Sequence, residues 1–150
     1  MVYVWEFEFF ESNGYIDAFP FPPFEGGTFG DDFTDAVESA VDWLGCMVED
    51  HLMNGTELPE MEFGHKPEQG GTVIAVAVER KLEDIPAVTA SEASRMMGVS
   101  TARVAQLVKS GYLDSWKVGG TRMVSLASVK ARIESDPKPG RPRCETSEEK

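Results

Sequence analysis

Thr89-Ala-Ser-Glu-Ala-Ser-Arg-Met-Met-Gly-Val-Ser100, continued by Thr101-Ala-Arg-Val-Ala-Gln-Leu-Val-Lys109, reads as two short helices joined by a tight turn. Thr89 and Glu92 have the spacing of a capping box, in which the hydroxyl takes the third helical amide and the carboxylate reaches back. Gly98 supplies a left-handed stop, and Ser100 caps a second helix that runs to about Ser110-Gly111. With Gly98 at the turn, Ala93 and Met97 face inward from the first helix and Val104 and Leu107 from the second. Val99 plugs the turn, and small Ser94 sits where the helices cross. Helix, three-residue turn, helix is the geometry that lays a second helix in the major groove of DNA. Ser100 and then Thr101, Ala102, Arg103, Gln106 and Lys109 are left on the outside. Arginine forks onto guanine and glutamine onto adenine, and a Thr or Ala methyl touches thymine. Lys109, at the helix end, suits a phosphate.

Downstream, Trp116-Lys-Val118 and Arg122-Met-Val124 flank Gly119-Gly120-Thr121, the pattern of a small hairpin. Lys117, Gly120, Thr121 and Arg122 at its tip offer backbone amides and basic groups for phosphate or the minor groove. Ser125 caps a last helix reaching Ile133. The Pro- and charge-rich tail that follows is expected to be disordered. Its Lys138-Pro-Gly-Arg-Pro-Arg143 segment resembles the Gly-Arg-Pro core of an AT-hook, but Pro139 stands where an arginine normally precedes the glycine. An ordinary basic tail is the preferred reading.

Cutting the chain exposes a charge asymmetry. Residues 1–85 hold 3 basic and 19 acidic residues, 3 - 19 = -16, whereas residues 86–150 hold 11 and 7, 11 - 7 = +4. Such fields steer a basic partner to one half and an anionic polymer to the other. No apolar run approaches the ~18–20 residues of a membrane span, and no basic segment leads into an apolar stretch at the N-terminus, so neither a membrane anchor nor a secretory signal is expected. Cys46 and Cys144 are expected to be free thiols in a reducing cytoplasm.

The acidic half opens with Val2 to Phe10, β-branched, aromatic and partly alternating, a strand pattern. Asn13-Gly14 is a strong hairpin signal, and Tyr15 to Phe21 returns before the prolines at 20, 22 and 23 end it. Gly26 to Gly30 reads as a loop. Phe33, Ala36, Val37, Ala40, Val41, Leu44, Val48 and Leu52 form one apolar helical stripe, capped by Asp31 or Asp32 and stopped at Asn54-Gly55. Asp35, Glu38 and Asp42 occupy the opposite face. Thr72 to Val78 is nearly all apolar and reads as a central strand covered on both faces, with Met61-Glu62-Phe63 a short edge strand. Glu79 to Pro86 reads as a linker.

Catalytic chemistry is not supported. His51 follows Cys46 by five residues, which is not a ligand spacing, and no metal or cofactor set is completed. No phosphate loop occurs, Cys46 has no base, and the strand Val73 to Val78 carries no carboxylate for a metal nuclease. Both histidines read as packed or solvated side chains, and Met96-Met97 as core. The expectation is a non-enzyme.

Two resemblances follow from these residues. Val88 to Ser100, Arg103-Val104, Val108-Lys-Ser-Gly-Tyr-Leu113 and Lys117-Val-Gly-Gly-Thr-Arg122 are together similar to the MerR/excisionase-type winged helix-turn-helix, departing at Ser94, where alanine is usual. That implies double-stranded DNA recognition by the second helix with the Lys117–Arg122 hairpin as wing. Tyr15-Ile-Asp-Ala-Phe-Pro20, Gly27-Thr-Phe-Gly-Asp31, Thr34-Asp-Ala36 and Asn54-Gly-Thr-Glu-Leu-Pro59 resemble, in order and spacing, the HicB antitoxin domain. The Pro20–Pro23 insertion and the polar Glu60–Gly71 loop depart from it. This resemblance implies a degenerate ribonuclease-H-like fold without catalysis, bound to a small basic ribonuclease toxin, HicA.

The expected fold class is α+β: an acidic domain over 1–84 of strands plus one long helix, a winged helix-turn-helix over 87–134, and a tail over 135–150. The expected function is an antitoxin that binds its toxin, with Asp35, Glu38 and Asp42 as candidate contacts, and represses its own operator as a homodimer or higher oligomer. Two half-sites are needed because one short helix buries too little surface. The alternative is a stand-alone regulator or excisionase-like protein whose acidic domain oligomerises or senses a ligand. A basic neighbouring reading frame favours the antitoxin, and a pocket of convergent polar groups favours the sensor.

Overall fold

Asn13 (φ 55) and Gly14 (φ 85) both take left-handed backbone, the two-residue turn that suits strand twist. They join β1 (Val2–Ser12) to β2 (Tyr15–Pro20). The computed structural model describes residues 1–135. The tail from Asp136, with its Gly-Arg-Pro core and Cys144, lies outside the described residues. The chain is α+β and divides into two compact units, Met1–Ile85 and a second that begins at Pro86.

In the first unit, β3 (Thr28–Gly30), β2, β1 and β4 (Thr72–Glu79) form one antiparallel sheet in that order. The helix α1 (Phe33–Asn54) starts where Asp32 accepts the Asp35 amide and stops at Gly55, φ 68. Its stripe of Ala36, Ala40, Leu44 and Val48 packs on Trp5, Phe7, Phe9, Val76 and Val78. The insertion Pro20–Pro23 is tied to this core at its ends: Pro22 and Pro23 are exposed, but the Trp5 indole donates to the carbonyl of buried Phe21 (2.9 Å), and Phe24, just beyond the insertion, joins the core and stacks on Trp5 at 4.1 Å.

Three expectations are corrected. The apolar strand β4 lies at the sheet edge, not its centre, and only one of its faces is buried: Val76 and Val78 point to α1 while Ala75 and Ala77 are exposed. Small alanines made the run look uniformly apolar without needing cover. Thr28–Gly30 is a strand, because β2 needs a partner on its outer side. Met61–Phe63 forms no strand; this segment belongs to a long connection that crosses the other face of β1.

That connection explains why the alternating glutamates of β1 are buried. Glu8 is 4% exposed and accepts the amides of Glu68 (2.8 Å), Gln69 (2.7 Å) and Gly71 (3.0 Å). Glu6, 8% exposed, accepts the amides of Gly64 and His65, both at 3.1 Å, and contacts His65 Nδ1 at 2.8 Å. The His65 ring lies flat on Phe21, 4.2 Å between centroids. The carboxylates thus satisfy a turn-rich loop that has no ladder of its own.

A glycine in mid-helix marks another packing constraint. Gly45 is buried, and a Cβ there would run into the Arg80 guanidinium. Arg80 donates from Nε to Glu49 (2.9 Å) and from Nη1 to the Glu79 carbonyl (2.9 Å). Gly45→Ala gains about 1 kcal/mol of helix propensity but displaces a half-exposed ion pair worth about 0–1 kcal/mol. The expected net change is near zero, and in an Arg80→Ala background the same substitution is stabilising by about 1 kcal/mol. Urea unfolding of the four-member cycle reads this out. Stabilisation by Gly45→Ala in the unaltered chain would show that Arg80 does not need the gap.

The second unit carries a sheet of order β5 (Ala87–Thr89), β7 (Thr121–Ser125), β6 (Ser115–Val118) and three helices, α2 (Ala90–Met97), α3 (Thr101–Lys109) and α4 (Leu126–Ser135). Ala93, Val104, Leu107, Leu113, Val124 and Val129 form its core, with Met97 and Val99 packed against it. Met96, expected in the core, is 42% exposed. Ser135, placed in the tail by sequence, ends α4.

Candidate nucleic-acid interface

Every local signal that positions α3 is present. Thr89 and Glu92 complete the capping box of α2, Gly98 is left-handed at φ 69, and the Ser100 hydroxyl accepts the Arg103 amide at 3.1 Å. Ser94, 8% exposed, turns its hydroxyl back to the Ser91 carbonyl (2.7 Å), leaving the helix crossing free of a bulky side chain. Val104 and Leu107 anchor α3 inward. Thr101, Ala102, Arg103, Gln106 and Lys109 are all exposed, as is Ala105. Arg103 Nη1 donates to Gln106 Oε1 at 3.2 Å, so the two long polar side chains of this face are linked.

The hairpin tip is a two-residue turn, Gly119 (φ 56) and Gly120 (φ 86), with Val118 opposite Thr121 and Lys117 opposite Arg122. Like charges directly opposite on a sheet destabilise it unless an anion lies near. Arg122 donates to the Ser115 hydroxyl at 2.6 Å. Lys117, Gly120, Thr121 and Arg122 are exposed. Residues 86–135 hold 7 basic and 3 acidic residues, 7 - 3 = +4, so the positive balance of the second half belongs to this unit rather than to the tail. If the tip grips phosphate, Lys117→Ala and Arg122→Ala each lower the slope of log affinity against log salt by about 1. Binding measured across a salt series tests this; two unchanged slopes remove the hairpin from the interface.

Sequence reasoning did not single out Tyr112 and Arg132. Tyr112, 59% exposed, follows the end of α3, and the Arg132 guanidinium sits 4.4 Å from its ring centroid. The two are 20 positions apart, and only folding brings them together.

On the first unit, Asp35, Glu38 and Asp42 are exposed along α1. Asp35 also secures the start of that helix, since its carboxylate accepts the Asp31 amide (2.8 Å) while its own amide donates to Asp32 (2.8 Å). His51 Nδ1 lies 2.7 Å from the Thr56 hydroxyl, and Cys46 is exposed. Among the described residues, no three His, Cys, Asp or Glu side chains are grouped to hold a metal ion. No described helix is long and apolar enough to cross a membrane. Burial pushes the Glu8 carboxyl up, but the amides of Glu68, Gly71 and Gln69 outweigh it and hold it below the ordinary glutamate value. Burial likewise raises Glu6, and the His65 ring together with the Gly64 and His65 amides brings it lower than usual. Comparison with known proteins finds no matching family model, curated protein or solved structure.

Proposed function

We propose that the chain is an antitoxin and repressor of the HicB type. Its second unit reads double-stranded operator DNA through α3 and the β6–β7 wing, and its first unit holds a small basic HicA-like ribonuclease toxin without chemistry of its own. The observation that carries the DNA reading is the capped α3, buried through Val104 and Leu107, with Thr101, Ala102, Arg103, Gln106 and Lys109 exposed on its outer side. The -16 balance of residues 1–85 supports a basic partner and disfavours nucleic acid on that unit.

The protein acts as a dimer on two half-sites, and the outer edge of β4, unpaired among the described residues, offers material for self-pairing. The test has two arms on the full chain. Binding to the DNA upstream of its own gene, in competition with unrelated duplex and across a salt series, reads the repressor. Co-expression with the adjacent small basic reading frame, scored by growth and by co-purification, reads the antitoxin. Specific operator binding with no toxin rescue leaves a stand-alone regulator. Neither result leaves no part of the reading standing.

A further inference from the structure

The sheet of the first unit has one face under α1. On the other, the strand registers set Phe10, Asp17 and Phe29 in one row across β1, β2 and β3. Tyr15 and Phe19 flank Asp17 along β2, two residues away on either side and therefore on the same face. Phe29 is 56%, Phe19 47% and Tyr15 46% exposed. The rings pair, Phe10 with Phe19 at 5.5 Å and Tyr15 edge-on to Phe29 at 5.4 Å. An exposed aromatic cluster of this kind marks an interaction site rather than scattered surface.

Asp17 lies between these rings with no hydrogen-bond or ion-pair partner among the described residues. It opens on a hollow of about 310 Å³ shared with Ser12, Asn13, Tyr15 and Phe29. The patch is pre-organised. Phe19 lies across Gly27, where a Cβ would come within 2.8 Å of the ring, so side-chain bulk there would lift the ring away.

We infer that this face grips the basic protein partner, with an arginine of that partner seated against Tyr15 and Phe29 and forked onto Asp17. A guanidinium is planar and weakly hydrated, so it stacks on a ring and pairs with a carboxylate at the same time. Aromatic residues and arginine are enriched at protein interfaces, and the residues that dominate binding there tend to face one another. Charge selects the occupant. The unit carries -16, and none of its basic residues, Lys66, Arg80 and Lys81, lines the hollow. A second copy docked here about a two-fold axis would set Asp17 near Asp17 inside two acidic fields. Nucleic acid is repelled by the same charge. The identity of the partner rests on the toxin-binding reading; the chemistry of the seat does not.

The test is a two-part titration of the full chain. By NMR, Nα-acetylarginine amide produces saturable shifts at Tyr15, Asp17 and Phe29, its neutral isostere Nα-acetylcitrulline amide produces none, and Asp17→Asn weakens the arginine response about fivefold or more. In the second part, Asp17→Asn and Phe29→Ala each weaken the complex with the co-expressed basic toxin by about tenfold or more. Equal shifts with the citrulline compound, or none at these residues up to about 50 mM Nα-acetylarginine amide, overturn the proposal. Toxin captured with unchanged affinity by both variants also overturns it and leaves the antitoxin reading standing. Arginine seated at Asp17 with no toxin captured keeps the seat and removes that reading. A fall in oligomeric state in Phe29→Ala assigns the face to a second copy and overturns the proposal.

Discussion

Arg103→Ala relaxes the base preference at one operator position by about 1–3 kcal/mol, and Gln106→Ala does the same at a neighbouring position. Both side chains stand on the exposed face of α3, one turn apart, and neither is used in holding the unit together. Their loss therefore leaves folding intact and is felt only against DNA. The bond between Arg103 and Gln106, 3.2 Å, couples them. In the double variant the two losses are not additive, because each single substitution also frees the other side chain. Lys109→Ala, at the end of α3, weakens all sequences alike. The measurement is competition binding to a randomised duplex library at one fixed salt concentration, since affinities without stated salt do not compare. An unchanged preference in Arg103→Ala would falsify the placement of α3 in the groove.

Glu8→Ala detaches the Glu68–Gly71 end of the loop from the sheet, while Glu6 still holds Gly64 and His65, and costs the first unit about 2 kcal/mol. The substitution removes the acceptor of three backbone amides at 2.7–3.0 Å. The loop is a single layer whose outer side, including Glu68, Gln69 and Gly70, faces solvent. Freed amides can rehydrate by lifting off, so the cost stays well below that of an orphaned charge in a deep core. Hydrogen exchange at Glu68, Gln69 and Gly71 accelerates before global unfolding shifts.

The pH dependence has a fixed sign. Glu6 and Glu8 have carboxyls held lower in the folded chain than in the unfolded one. Their contribution is therefore full above the ordinary glutamate value, about 4.3, and is lost as pH falls through the lower folded values. Urea unfolding shows no effect of this pair between about pH 5 and 7 and a steep acid limb below. In Glu8→Ala that limb is shallower. A limb of equal steepness in both proteins would assign acid sensitivity to other carboxylates.

The second unit was the more legible of the two in sequence. Its signals are local: Thr89 with Glu92, Gly98, Ser100 and the paired glycines 119 and 120 each dictate a cap or turn from a few neighbouring residues. The inward set Ala93, Val104 and Leu107 follows from helical period alone. Helix α1 is legible for the same reason, between an Asp31 or Asp32 cap and an Asn54-Gly55 stop; the structure places the caps at Asp32 and Gly55.

Strand order in the first unit depended on contacts far apart in the chain. Alternating Glu6 and Glu8 look like one solvated face of a strand, and Thr72 to Val78 looks like a buried centre. Folding reverses the two. β1 becomes central because aromatic rings at Trp5, Phe7 and Phe9 fill the space beneath α1, while residues about 60 positions away cover its glutamates. β4 is left at the edge with its alanines in water. The row of Phe10, Asp17 and Phe29 likewise exists only through register, since a shift by one residue would turn each side chain to the other face. By itself the sequence determined charge, caps, turns and helical faces, which short-range chemistry sets. The tertiary structure alone decided which strand is central, which acids are buried and which aromatics meet, because those depend on long-range pairing that no local residue encodes.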